Sequence, residues 1–408
     1  MFMAVAGFVV HSVVAYAANG ISSSSNDLSN QPYAKDINGI DFGPGRVLPS
    51  LTLKNGYNDN LLTQNSNTIA TFFNIITPSL GYVLQDNKRK LLLDYTLSAG
   101  FFEGSHKDDY DDHKLSTTFD YHPTNRLFTS LNANYKQTHD GRGSGRADSG
   151  TGAVSPSLDE WHQWDVNGKV AYGTESSKGR IELESGYVDK KYDTNRLFTY
   201  TRDRAETFAT GRFYYRMLPK TFLVTEIRAR DYSYDTTAVG TNSLDSMDMT
   251  YLAGVTWLAT YKTSGYVKLG YITKDFDSAL RKDGSGFTWE MGVDWKPKFN
   301  STVHLETSET LDETNGTGDF IDITNYKLIW THFWRAKIKT DLQFLYQNLK
   351  YDPVTREDNL YSAGISAGYY FKRWMSVDLG YRREKLDSNV PVFNYDENII
   401  ELTAYFTF

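Results

Sequence analysis

The sequence predicts an all-β fold, a transmembrane antiparallel outer-membrane β-barrel of about eighteen strands, within a range of roughly sixteen to twenty. Three observations predict it. From about residue 47 onward, segments of roughly ten to fourteen residues alternate apolar and polar side chains, the period of a strand whose two faces meet different surroundings. Short connections alternate with long ones, as in barrels with tight periplasmic turns and larger external loops. Aromatic residues make up 15% of the chain, with 29 Tyr, 23 Phe and 8 Trp, which suits rings placed at a lipid–water boundary.

Composition sets the outer limits. Mean hydropathy is negative, and the body of the chain has no run of the ~20 apolar residues that a helical span needs. Ten Pro and 31 Gly fit strands and turns. A net charge of −7 leaves no basic footprint for nucleic acid. The absence of cysteine excludes disulfides and thiolate metal sites.

Residues 1–17 read as a signal peptide, an apolar stretch ending in Ala15-Tyr16-Ala17, although no positive n-region precedes it. Its alternative is a single N-terminal anchor. Residues 18–45 are rich in Ser, Asn and Gly and read as a flexible periplasmic lead-in. The barrel is expected over 46–408.

Each strand is argued from its alternation. Residues Tyr361, Ala363, Ile365, Ala367, Tyr369 and Phe371 share one face of 359–371. Met249, Tyr251, Ala253, Val255 and Trp257 do so in 247–259, and Phe287, Trp289, Met291, Val293 and Trp295 in 287–295. Segment 91–101 repeats the pattern from Leu91 to Phe101. These runs are about twice the length of a soluble sandwich strand and match a tilted membrane span.

The connections carry opposite charge. Short turns are basic, with Lys88, Arg89, Lys178, Lys220, Lys262, Lys298, Arg335 and Lys372. Long loops are acidic, with Asp108, Asp109, Asp111, Asp112, Asp245, Asp312, Asp319 and Asp358. Trp257, Trp295, Trp334 and Trp374 lie beside short turns, where an aromatic girdle would meet the periplasmic interface. The last segment stops on Phe408, as does the signal read by the outer-membrane assembly machinery. Lipid and lipopolysaccharide are the expected surroundings.

If the apolar parity faces lipid, the other parity lines the lumen, because mid-strand charges are costly against lipid. That face carries Asp94, Glu182, Glu184, Arg212, Tyr214, Arg216, Glu226, Arg228, Arg230, Lys268, Glu290, Asp294, Asp378, Arg382, Glu384 and Glu401. Two readings are open: contacts to a hydrated polar solute, or cross-lumen pairs that only keep the barrel rigid. The longest loop, 139–160, is the third external one, and either folds inward or stays solvated. The hexapeptide TNRLFT occurs twice, at 124–129 in a short turn and at 194–199 in a long loop.

Catalytic motifs are missing: the sequence has no GxSxG, HExxH or phosphate loop. His106 and His113 flank an acidic run and read as solvated side chains, so neither a metal site nor a cofactor is expected.

Two stretches resemble a known family. VLPSLTLKNGYNDNLLTQ (47–64) and RDRAETFATGRFYYRMLPKTFLVTEIRARDYSY (202–234) are similar to the β-barrel porin 2 group of outer-membrane proteins, which includes relatives of exopolysaccharide-operon barrels. The resemblance implies a conduit for exopolysaccharide or capsule in a diderm bacterium, receiving polymer from a periplasmic polysaccharide-export protein. A general or solute-selective diffusion porin and a non-transporting structural or surface-binding barrel are the alternatives. No binding residue is carried over from the family.

Overall fold

The computed structural model describes residues 39–408 apart from 144–151, 175, 238–240, 259–261 and 315. The expected signal peptide and most of the expected lead-in lie outside the described residues. The end of that lead-in is ordered: β1 (Ile40–Phe42) pairs with the start of β2 (Gly45–Asn58), with Phe42 opposite Gly45.

The remaining strands follow as hairpins. They are β3 (Thr71–Gln85), β4 (Arg89–Phe102), β5 (Tyr110–Tyr121), β6 (Leu127–Asp140), β7 (Asp159–Tyr172) and β8 (Gly179–Tyr192). Next come β9 (Arg204–Leu218), β10 (Thr221–Tyr234), β11 (Ser246–Trp257), β12 (Thr263–Phe276) and β13 (Gly284–Lys298). The set ends with β14 (Ser301–Glu313), β15 (Phe320–Arg335), β16 (Ile338–Asp352), β17 (Glu357–Lys372), β18 (Met375–Ser388) and β19 (Tyr395–Thr407). Each strand from β2 onward pairs antiparallel with its neighbours, and β19 returns to β2, from Ile399 opposite Asn58 to Thr407 opposite Ser50. The result is a closed barrel of eighteen strands, β2 to β19, each hydrogen-bonded to both neighbours along at least part of its length. At ~3.3 Å per residue, strands of this length span a membrane even when tilted.

Alternation decides which face meets lipid. In β17, Tyr361, Ile365, Tyr369 and Phe371 are exposed, while Asp358, Leu360, Ser362 and Tyr370 between them are buried. On the outer surface, Trp295, Trp334 and Trp374 are exposed near the short turns, and Trp257 ends β11 at the same level. Phe408 stacks on Trp374 with ring centroids 6.1 Å apart. A second belt runs toward the other rim. Tyr251 lies opposite Tyr271, which lies opposite Phe287, while Tyr326, Tyr346 and Tyr361 form a second cross-strand row.

Short turns are fixed by local chemistry. Asp86 accepts hydrogen bonds from the backbone N–H groups of Lys88 and Arg89, both at 2.8 Å. Those donors hold its carboxyl below the usual carboxylate range. The repeated hexapeptide takes two forms. In the first copy, Thr124 accepts from the N–H groups of Arg126 and Leu127 and starts β6. In the second, Thr194 is tied to Leu158 and Glu160, and α1 (Arg196–Thr199) makes one helical turn. Context, not sequence, sets the outcome.

The ladder is interrupted at one place. β13 and β14 pair from Lys298 opposite Ser301 up to Glu290 opposite Ser308, and no further. Above that point β13 pairs only with β12 and β14 only with β15. The end of the β14–β15 hairpin leans inward. Glu313 and Phe320, which share parity with lipid-facing Leu305 and Tyr326, instead pack on the inner-face residues Lys274 and Phe276. Gly284 makes this approach possible, because a Cβ there would stand 2.8 Å from the Phe320 ring.

Candidate functional site: the lumenal wall

The inner face of β8 to β13 holds a ladder of ion pairs. The alternation of these strands places Glu182, Glu184, Arg212, Glu226, Arg228, Lys268 and Glu290 on the same side. Arg212 donates to Glu184 at 2.9 Å and to Glu226 at 3.1 Å. Arg228 donates to Glu226 at 2.6 Å and grips Glu290 with both terminal nitrogens, at 2.5 and 3.0 Å. Lys268 sits between the same two carboxylates, 2.9 Å from Glu226 and 2.5 Å from Glu290. Arg180 pairs with Glu182, and the Tyr214 hydroxyl reaches that carboxylate at 3.5 Å.

The Glu226 side chain is 1% exposed and serves three cations. Desolvating so many charges is expensive unless each meets several opposite partners. Shared carboxylates meet that condition here.

A second tier lies toward the external rim. Arg230 and Arg204 both pair with Glu206, at 2.5 and 3.0 Å. Lys274, fully buried, donates to Asp248 at 3.1 Å and to Glu313, which also receives the Tyr234 hydroxyl. On β6 to β8, Asp140 accepts from Trp161 at 2.9 Å, Tyr192 at 2.9 Å and Arg202 at 3.0 Å. Lys190 lies 3.9 Å from the centre of the Trp161 ring, a cation–π contact.

The opposite wall is built differently. Toward the external end, Ile321, Ile323, Leu349, Tyr351 and Leu360 form a buried apolar cluster, with Leu386 and Tyr395 against it. Arg356 lies over it, 3.5 Å from the centre of the Phe393 ring and 4.4 Å from that of Tyr351, with its charge met by Asp358. Charge returns nearer the short turns. There Lys339 pairs with Asp341 and Asp378 at 3.1 and 2.8 Å, whereas Arg382 meets Glu384 at 3.2 Å and Glu397 at 3.6 Å toward the external end, beside the cluster.

Every lumenal candidate read from the sequence stands on the inner parity. Glu182, Glu184, Arg212, Tyr214, Glu226, Arg228, Lys268 and Glu290 come together in one network, and Arg230 joins the second tier. Arg382 and Glu384 form one group, and Asp378 belongs to the Lys339 pair. Four others are apart. Asp94 bonds Ser79 and Thr96, Asp294 bonds His304 at 2.8 Å, Glu401 pairs with Lys54 at 3.2 Å, and Arg216 stands at the turn end of β9. The sequence reading missed Asp140, Lys190, Asp248, Lys274 and Glu313. Parity alone could have found Lys274 and Asp248. No local signal marks Glu313, whose strand leaves the wall.

The external loops are tied to one another. In the described parts of the longest loop, Arg142 pairs with Asp108 at 3.1 Å, and Gly152 approaches Val392 of the loop before β19. The described ends of this loop therefore contact the segment before β5 and the loop before β19. The question of an inward fold falls on 144–151, outside the described residues. His106 pairs with Asp109, and His113 with Asp111. Among the described residues no group of three or more potential metal ligands occurs.

Known structures share this architecture. The OpdO structure from Pseudomonas aeruginosa superposes with a TM-score of 0.50 at 12% identity, covering 89% of this chain and 97% of that one. A BenF-like porin from Pseudomonas fluorescens Pf-5 gives 0.49 at 9% identity, covering 89% and 99%. The FrpB iron transporter from Neisseria meningitidis (F3-3 variant) gives 0.47 at 10% identity, covering 87% of this chain, which spans only 64% of FrpB. No curated protein matches the chain. The sequence itself matches the family described as "Putative beta-barrel porin 2" over residues 31–408, which includes every strand of the barrel. The chain is an outer-membrane β-barrel of porin type, and it belongs to that family.

Proposed function

We propose that the barrel is a solute-selective diffusion porin of the outer membrane. The observation that carries this reading is the lumenal wall from β8 to β13, where both signs of charge are fixed by ion pairs. The pairing holds the buried carboxylates and cations against the wall, so the partly exposed Arg228 and Arg230 and the summed field of the wall face a small hydrated solute without swinging side chains into its path. The family name and the titles of similar structures speak for porins. The expectation of a polysaccharide conduit rested on the resemblance to exopolysaccharide-operon barrels, and no feature of the lumen favours a polymer over a small solute. A periplasmic export partner rests on that same resemblance. Lipid, lipopolysaccharide and the assembly machinery remain the surroundings proposed for the outer face and for the terminal Phe408.

The test is single-channel recording of the purified barrel in a planar bilayer. Discrete conductance steps are expected, with an ion preference that shifts in Arg228→Gln. A silent barrel, together with polysaccharide retained in the periplasm of a deletion strain, would overturn the reading.

A further inference from the structure

The interruption between β13 and β14 leaves a cavity of about 470 Å³ in the barrel wall, within the ~300–1,000 Å³ range of small-molecule sites. Its walls come from both faces of the sheet. Ile272 and Gly286 belong to the inner parity of β12 and β13, whereas Phe287 is an exposed member of the outer aromatic belt. Leu311 and Asp322 have the outward parity of β14 and β15, which here faces the inner side of β13 because the hairpin leans inward. The two strand ends thus overlap with a slit between them. Open space lies beside Gly286, where an added Cβ would meet nothing within 4 Å.

The slit begins at the level of the aromatic belt, above the bonds from Trp289 Nε1 to Thr307 Oγ1 at 3.0 Å and from Thr288 Oγ1 to the Glu309 carbonyl at 2.5 Å. Belts of this kind mark the membrane interface, so lipid chains stand beside Phe287. The apolar contribution from Ile272, Phe287 and Leu311 suits a hydrocarbon chain. The polar end suits a head bearing both charges. Glu309 and Asp322 supply carboxylates, Lys350 an ammonium group, and Lys282 and Asp352 a pair at 3.0 Å.

We propose that this slit is a lateral binding site for a single-chain zwitterionic amphiphile, entered from the outer leaflet and open to the lumen. The site does not depend on whether the barrel conducts. A diffusion porin with a continuous ladder would offer no such entry.

The chain has no cysteine, so a single introduced one reports without background. Three variants, Gly286→Cys, Phe287→Cys and Thr96→Cys, are labelled with a small fluorophore in phosphatidylcholine liposomes. Each receives lysophosphatidylcholine spin-labelled on its chain. Phe287→Cys faces lipid and is quenched in any case, while Thr96→Cys faces the lumen far from the slit and is not. Quenching at Gly286→Cys comparable to that at Phe287→Cys, and several-fold above that at Thr96→Cys, is expected. It is expected to fall to the Thr96→Cys level when Leu311→Trp fills the slit. Quenching at Gly286→Cys no greater than at Thr96→Cys overturns the proposal, and so does quenching that Leu311→Trp leaves unchanged. Should Gly286→Cys fail to fold, as read from its migration on an unheated gel, Leu311→Cys takes its place with Ile272→Trp as the filling variant. The same quenching outcomes then decide.

Discussion

The inner wall of β8 to β13 and the inner wall of β15 to β17 occupy the same parity of the same barrel, yet they solve burial in opposite ways. The first buries Glu226, Arg212 and Lys268 by giving each several counter-charges. The second buries Ile321, Ile323 and Leu349 as a soluble core would. The lesson is that an inward position in a barrel is not automatically a wet one. What packs over it decides whether its stability comes from charge pairing or from apolar burial.

The largest expected effect tests the charged wall. Glu226→Leu leaves Arg212, Arg228 and Lys268 buried with fewer counter-charges, and removal of one partner from a buried network costs about 3–5 kcal/mol. Urea unfolding of the liposome-refolded barrel is the measurement. A loss under about 1 kcal/mol would mean that water already reaches this wall, and the contrast between the walls would fail. Next comes Leu349→Ala on the apolar wall, expected to cost about 2–4 kcal/mol by the same assay because the cavity it leaves is walled by Ile323 and Tyr351. A near-neutral result would show the cluster to be hydrated. The smallest effect belongs to the mouth, which neither wall dominates. Arg142→Ala leaves the buried Asp108 carboxylate with the Ser105 hydroxyl and should cost about 1–2 kcal/mol. It should nevertheless speed limited proteolysis within the loop it anchors. Unchanged cleavage would separate that loop from the ion pair.

The charged wall was legible in the sequence and the apolar one was not. Membrane strands must alternate because lipid and lumen demand different side chains, so Arg212, Glu226 and Lys268 announce themselves as mid-strand charges. The same logic located the eighteen strands and the short turns. Ile321 and Ile323 carry no comparable sign. They sit in FIDITNYKL, where Phe320 and Asp322 on the other parity obscure which face is apolar. The upper belt was hidden for a different reason. Tyr251, Tyr271 and Phe287 form a row only through register between strands, and register is not a property of any one segment. The break above Glu290 escapes the sequence for the same cause, since both strands keep their own alternation beyond the point where they part. The two copies of TNRLFT make the limit plain: identical residues begin a strand in one place and a helical turn in the other.

The seam between β19 and β2 joins residues more than three hundred positions apart in the chain. At its external end Asn58 donates to the buried Glu397 at 2.8 Å, and Asp59 accepts both the backbone N–H of Asn398 at 2.7 Å and its side-chain amide at 2.8 Å. Closure therefore needs both ends of the barrel together, and until β19 pairs with it β2 is a bare edge that any other strand could capture. Asn58 and Asp59 add to the backbone ladder a set of side-chain bonds that a stray strand would not reproduce.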